Sequence, residues 1–137
     1  DEAIIHHSDC LEALQRARED GLIRAYGMST KTVAGGLLTV LHADIVMVTL
    51  NPGATDDRVV VEAAHKQGKG VLIKKALNSG HVVVDLVAEQ QKAQDPVQNS
   101  LDFIFSNDGV GAVIIGSITE QHLQHNIDCA IRAASRS

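Results

Sequence analysis

The residues able to do chemistry in this chain sit where apolar runs end. "VGAVIIGSITEQHLQHN" (110–126) is apolar as far as Ile115, breaks at Gly116-Ser117 and continues as a polar, helix-forming stretch. Ser117 and Thr119 therefore precede or open a helix, where unpaired backbone N–H groups and the positive end of the helix dipole attract an anion such as phosphate. The same hydroxyls equally suit plain helix capping. "GVLIKKALNSG" (70–80) ends its apolar part in Lys74 and Lys75, which the alternation of a strand sends to opposite faces. The one facing inward would present an ammonium whose pKa falls where water is excluded. The alternative is that both stems carry their charges into solvent. Met28-Ser29-Thr30 and Thr49-Leu50-Asn51 end two further apolar runs.

His6 and His7 could act as acid or electrophile at a strand end, although Ser8 alone separates them from Asp9, which reads as an exposed lead-in loop. His122 and His125 are one turn apart on the last helical stretch, without the i, i+4 spacing of a metal pair or an obvious third ligand. A solvated helix face is expected there, with no metal. Cys10 and Cys129 lie at opposite ends of the chain, with neither CxxC nor zinc spacing, and read as two buried reduced thiols. No glycine-rich dinucleotide fingerprint follows a strand, no Ser-His-Asp set assembles and no carboxylate pair stands out.

The elements that must position these residues alternate. Asp9 and Glu12 have capping-box spacing ahead of a helix that Gly21 stops. "LIRAYGMS" (22–29) reads as a strand with Tyr26 in its core, 31–43 as a helix loosened by Gly35 and Gly36, and 44–50 as a second strand. Asp56 or Asp57 can cap "RVVVEAAHKQG", which Gly68 ends before a third strand, 70–75. Residues 82–93 look weakly helical, Asp95-Pro96 starts another helix, Asp108-Gly109 releases the fourth strand, 110–115, and Thr119 to Ala134 forms the last helix. Continuous apolar strands alternating with helices imply a parallel α/β sheet with right-handed crossovers. Four such units suit half of a barrel; an open flavodoxin-like sheet binding an anion is the competing arrangement.

Composition narrows the class. The 137 residues allow one domain and one core. With 45% hydrophobic residues but only 2% aromatic, that core must be built from Val, Ile, Leu and Ala, as in sheets covered by helices. A net charge of -5 argues against nucleic acid as a partner. No run approaches the ~18 apolar residues of a membrane span, so a cytoplasmic protein is the default. The chain opens on Asp1 without a Met, so a removed leader or a longer parent polypeptide is expected.

Four stretches together resemble the aldo/keto reductase pattern. "LEALQRAREDGLIRAYGMST" is similar to that family's Leu-faced helix leading to Gly-Val-Ser-Asn, and "VMVTLN" to its strand ending in Tyr-Asn. "GVLIKKALNSG" resembles its strand ending in Ser-Pro-Leu-x-x-Gly, and "GAVIIGSITEQHLQHN" its Pro-Lys-Ser followed by Gln-Leu-x-Glu-Asn. The likeness covers about residues 10–132 and only the C-terminal half of the family's (β/α)8 barrel. It implies a parallel (β/α)4 half of a TIM-type barrel, residues 1–137 forming one domain, with NADPH or NADH as cofactor and small carbonyl compounds as substrates.

By position, Ser29 would contact the carboxamide, Leu77 and Ser79 the pyrophosphate, and Ser117, Thr119 and Asn126 the adenosine end. Thr30, Asn51, Lys74, Lys75, Gly80, Gly116 and His122 complete the implied cofactor set. Thr30 stands for the family's Asn, Met47 for its Gln and Lys74 for its stacking aromatic, while Gly116 and His122 stand for its basic residues at the 2′-phosphate. The catalytic Asp, Tyr and Lys belong to the N-terminal half and are absent; His6 or His7 could match the catalytic His. A missing N-terminal half or a second copy is the expected partner. The alternative is a non-catalytic half-barrel that self-associates as a scaffold or regulatory subunit.

Overall fold

Four parallel strands lie in the order β1-β2-β3-β4 in the computed structural model of the chain, which describes residues 1–7, 9–77 and 95–136. They are β1 (Gly27–Ser29), β2 (Ile45–Thr49), β3 (Gly70–Lys74) and β4 (Ala112–Val113). Helices α1 (Glu2–His7) and α2 (Cys10–Glu19) precede them, α3 (Val33–His42) and α4 (Arg58–Lys66) connect the first three strands, and α5 (Pro96–Phe105) and α6 (Glu120–Ala134) flank β4. The order decides between the two expected arrangements. A doubly wound sheet reverses its direction of strand addition and so places helices on both faces. Here each strand is added on the same side as the last, and crossovers of one hand then leave the described connecting helices on one face. The sheet is half of a TIM-type barrel.

Register carries that layering to side-chain level. Val46 pairs with Val71 and Val48 with Ile73, and all four are at most 1% exposed. They meet Val40, Val60, Val61, Ala64 and Ile104 in one cluster. Val97, Leu101, Cys129 and Ala133 form a second, and Val113 and Ile115 pack against both. The alternate residues Ile45, Met47 and Leu72 on the opposite face are only half-buried, and Ile114 is 51% exposed. That face is the one a complete barrel would enclose.

Caps and glycines set the element boundaries. Thr32 Oγ1 accepts the Gly35 N–H at 3.0 Å, and Asp95 Oδ1 accepts the Val97 N–H at 3.0 Å with Pro96 in the first turn of α5. Gly21, Gly68 and Gly109 take φ of 73°, 64° and 91°, the left-handed region that glycine enters without a Cβ penalty. Ahead of Gly109, the Asn107 amide donates to the Phe103 and Ile104 carbonyls, pinning the turn that launches β4.

Several expectations are corrected. Residues 2–7 form a helix rather than a lead-in loop. The Asp9–Glu12 capping box does not form: Asp9, with φ -74° and ψ 1°, lacks the extended backbone of a capping residue, and the Glu12 carboxylate pairs with Arg16 instead. The first strand begins only at Gly27, because the Tyr26 carbonyl takes the N–H groups of both Asp44 and Ile45 where the chain enters the ladder. Tyr26 is therefore outside the core, its hydroxyl on the His42 carbonyl at 3.2 Å. β4 is likewise short, flanked by Gly111 N–H to Val71 O and Ile114 N–H to Ile73 O.

Gly35 and Gly36 do not loosen α3. A Cβ on Gly36 would lie 2.8 Å from a Val60 methyl, so the glycine permits close packing of α3 on α4. Asp57 makes no side-chain cap on α4; its carboxylate accepts the Thr49 N–H at 3.0 Å. Cys10 is exposed, and only Cys129 is a buried thiol. Residues 82–93, expected to be weakly helical, lie outside the described residues.

Gly109 and Gly21 separate two effects. A Cβ at Gly109 would lie 2.5 Å from His65 Cβ, whereas one at Gly21 would meet nothing within 4 Å. Gly109→Ala should cost ~2–4 kcal/mol from backbone strain plus overpacking, and Gly21→Ala only ~1–2 kcal/mol from the left-handed backbone. Urea midpoints of the two variants measure this, and equal losses would contradict the packing assigned to Gly109.

Candidate functional site

Because the strands are parallel, their carboxyl ends share one edge of the sheet. Ser29 ends β1, Asn51 follows β2, Lys74 ends β3, and Gly116-Ser117 follow β4. Ligands of barrels and open α/β sheets collect at this end. Lys74 follows buried Ile73 and so faces away from the helices. Its ammonium reaches past β2 to donate to Ser29 Oγ at 2.9 Å and to the Thr30 carbonyl at 2.6 Å. Burial, then the like charges of Lys75 and Lys31, lower its pKa from the ordinary lysine value, with Asp57 opposing. Lys75 is exposed with a φ of 54°, and its carbonyl accepts the Asn51 amide at 2.9 Å.

The neighbouring residues are committed elsewhere. Asn51 is 2% exposed, and its Oδ1 accepts the Gly53 N–H at 2.9 Å. Thr30 Oγ1 is buried without a hydrogen-bond partner and lies 3.4 Å from a Cβ built on Gly36, so it faces α3 and not the mouth. Leu77 packs against the second core cluster. Ser79 and Gly80 lie outside the described residues.

A second group gathers at the amino end of α6. Ser117 Oγ accepts the Asn126 amide at 2.9 Å, and Thr119 Oγ1 accepts the His122 N–H at 3.3 Å. Thr119 is thus the cap, and the Ser117–Asn126 bond ties the preceding loop to the helix. Gly116, Ser117, Thr119 and His122 are exposed and Asn126 is half-buried. Glu120 in the first turn offsets part of the dipole's attraction for an anion. The two groups end the first and fourth strands, three strand spacings or about 14 Å apart.

These residues offer neutral hydrogen-bonding groups at one end of the mouth and an ammonium at the other. His6 and His7 end α1, which packs against α3, so a helix and not a strand end carries them. Tyr26 precedes β1 and lies at the amino end of the sheet, opposite the mouth.

One constellation escaped the sequence reading. Asp95, His125 and Cys129 bring a carboxylate, an imidazole and a thiol together, all three polar atoms within 4.8 Å of one another. The i, i+4 spacing of His125 and Cys129 on α6 was a readable signal. Asp95 was not, because packing of α5 on α6 delivers it.

No protein-family model matches the chain, and no curated protein matches it significantly. Solved structures do. A Pseudomonas aeruginosa protein regarded as an aldo-keto reductase is 38% identical with a TM-score of 0.83, over 97% of this chain and 48% of that one. Another Pseudomonas aeruginosa structure so described is 40% identical with a TM-score of 0.84, over 97% of this chain and 47% of its own. The holo form of a Bacillus halodurans aldo-keto reductase superposes at a TM-score of 0.74 over 88% of this chain and 49% of that one, with 14% identity, a likeness of fold alone. Over nearly its whole length the chain is similar in sequence and fold to half of an aldo-keto reductase, and it spans about half the length of the relatives it matches.

Proposed function

We propose that this chain is the C-terminal, dinucleotide-binding half of an oxidoreductase that reduces small carbonyl compounds with NADPH or NADH. The observation that carries the reading is the convergence of Ser29, Lys74 and the Ser117–Asn126 pair at the carboxyl end of one parallel sheet, in a chain whose relatives are aldo-keto reductases. The dinucleotide would supply the hydride. Lys74, steadied by Ser29 Oγ and the Thr30 carbonyl, is the cation available to an amide or phosphate oxygen in the mouth. Ser117 and Asn126 offer hydroxyl and amide groups to the adenosine end.

Tyr26 lies at the far end of the sheet from the mouth, so this reading takes the proton for the carbonyl from the half that completes the barrel. A cytoplasmic setting is part of the proposal: Cys10 and Cys129 are both unpaired, and no helix among the described residues is long and apolar enough to cross a membrane.

A second reading, a non-catalytic half-barrel that self-associates, is favoured by surface that lacks a cover. Ile114 is 51% exposed on the inner sheet face, and Leu123, Ile127 and Ile131 form an i, i+4, i+8 stripe on α6 at 49%, 43% and 60%. Either a missing half or a second copy would bury it.

Fluorescence titration should show saturable NADPH or NADH binding, weakened ~10-fold by Lys74→Met through loss of a charge-assisted hydrogen bond. The lowered pKa means that Lys74 discharges at a lower pH than an ordinary lysine. Affinity should therefore fall with rising pH below the ordinary lysine range, and Lys75→Met should move that fall to higher pH. Absence of binding by this chain and by the barrel completed with a relative's other half would overturn the cofactor reading. Sedimentation velocity should give dimers or larger species that Ile127→Glu with Ile131→Glu dissociates; a monomer at every concentration would remove the self-associating module.

A further inference from the structure

Away from the mouth, where α5 meets α6, Asp95 Oδ1 is used in capping α5, while Oδ2 faces two side chains of α6. His125 Nε2 lies 2.9 Å from Oδ2, Cys129 Sγ lies 3.4 Å from it, and Sγ and Nε2 are 3.6 Å apart. Zinc bound tetrahedrally at about 2.3 Å to sulfur and about 2.0–2.1 Å to nitrogen and oxygen sets S···N and S···O edges of about 3.5 Å and an N···O edge of about 3.3 Å. The triangle already present has nearly those dimensions. We propose that Asp95, His125 and Cys129 bind one zinc ion, which clips the last helix to the element before β4.

The chemistry of the donors suits a borderline cation: thiolate, imidazole and carboxylate together select zinc over calcium or magnesium. Cys129 is fully buried, whereas His125 is 48% exposed, so the fourth position opens to water beside the imidazole. Gln98 is committed, donating to the Asp102 carboxylate and the Cys129 carbonyl and accepting from Arg132 Nε at 2.7 Å. Arg132 Nη2 donates to Cys129 Sγ at 3.1 Å and would support the coordinated thiolate from outside the metal shell.

In the metal-free chain, burial and then Asp95 push the Cys129 thiol up, with Arg132 opposing. Burial also opposes ionisation of Asp95, yet hydrogen bonds from Cys129 and Val97, with the charge of His125, hold its carboxyl below the ordinary value. Coordination replaces the S–H bond with a Zn–S bond and releases that proton to solvent, and the imidazole binds through Nε2 with its N–H on Nδ1, a charged ring giving up its second proton to solvent as well. No electron is transferred, and the site stands independently of the cofactor reading.

Zinc chloride titrated into metal-free chain against a chromophoric chelator should show one ion bound per chain, with proton release in weak buffer. Cobalt(II) in its place should give a thiolate-to-metal charge-transfer absorption. Cys129→Ser and His125→Gln should each weaken zinc at least ~100-fold, and Cys10→Ser should not. His125→Gln alters an exposed helical position and keeps the test available if Cys129→Ser fails to fold. Zinc should raise the melting temperature of the unaltered chain but of neither site variant. Equal zinc affinity in the unaltered chain and His125→Gln, or cobalt binding without charge transfer, would overturn the site and leave only a hydrogen-bonded Asp-His-Cys cluster.

Discussion

A parallel ladder extended always in the same direction can cover only one of its faces with its own connections. That constraint governs this molecule. Val46, Val48, Val71 and Ile73 are buried against the helices, while Ile45, Met47, Leu72 and Ile114 on the other face remain partly or half exposed. Each buried pair also depends on register, since a slip of one residue would turn Val46 and Val48 to the open inner face and Met47 toward the helices. The apolar inner face is thus a direct consequence of the layering that forms the core, and it is the surface a complementary half would bury.

The same constraint concentrates polar chemistry. With one face packed by aliphatic residues and every carboxyl end on one edge, the hydroxyl, amide and ammonium groups that end the strands have a common place to gather. Local hydrogen bonding then sorts them. Asn51 is drawn into the turn at Gly53 and the Lys75 carbonyl, and Thr30 turns its hydroxyl toward Gly36. Lys74 and Ser29 remain at the mouth because they share the inner face, which no helix among the described residues covers. The amino end of α6 is ordered by its own cap and by the Ser117–Asn126 bond.

Helix packing creates a second kind of site from the same economy of contacts. Asp95 begins α5 by accepting a backbone N–H with one oxygen, which leaves its other oxygen for α6. His125 and Cys129, one turn apart on that helix, both reach it. A capping residue is thereby also a tertiary contact, joining two helices that the chain separates by a strand.

Much of the architecture was legible in the sequence, because it rests on interactions between near neighbours. Gly21, Gly68 and Gly109 stop elements through backbone freedom, Asp95-Pro96 and Thr119 start helices through bonds two or three residues away, and continuous aliphatic runs mark parallel strands. The family resemblance was legible for the same reason, as short motifs held in order. The lengths of β1 and β4, the fate of Asp9 and Asp57, and the exposure of Cys10 were not, since each depends on a partner distant in the chain. Only the tertiary structure could choose the barrel over an open sheet, because strand order is a relation between segments that periodicity does not encode. Only it could seat Lys74 on Ser29 and bring Asp95 to His125 and Cys129, contacts across 45 and about 30 residues that exist once the core has fixed where each backbone runs.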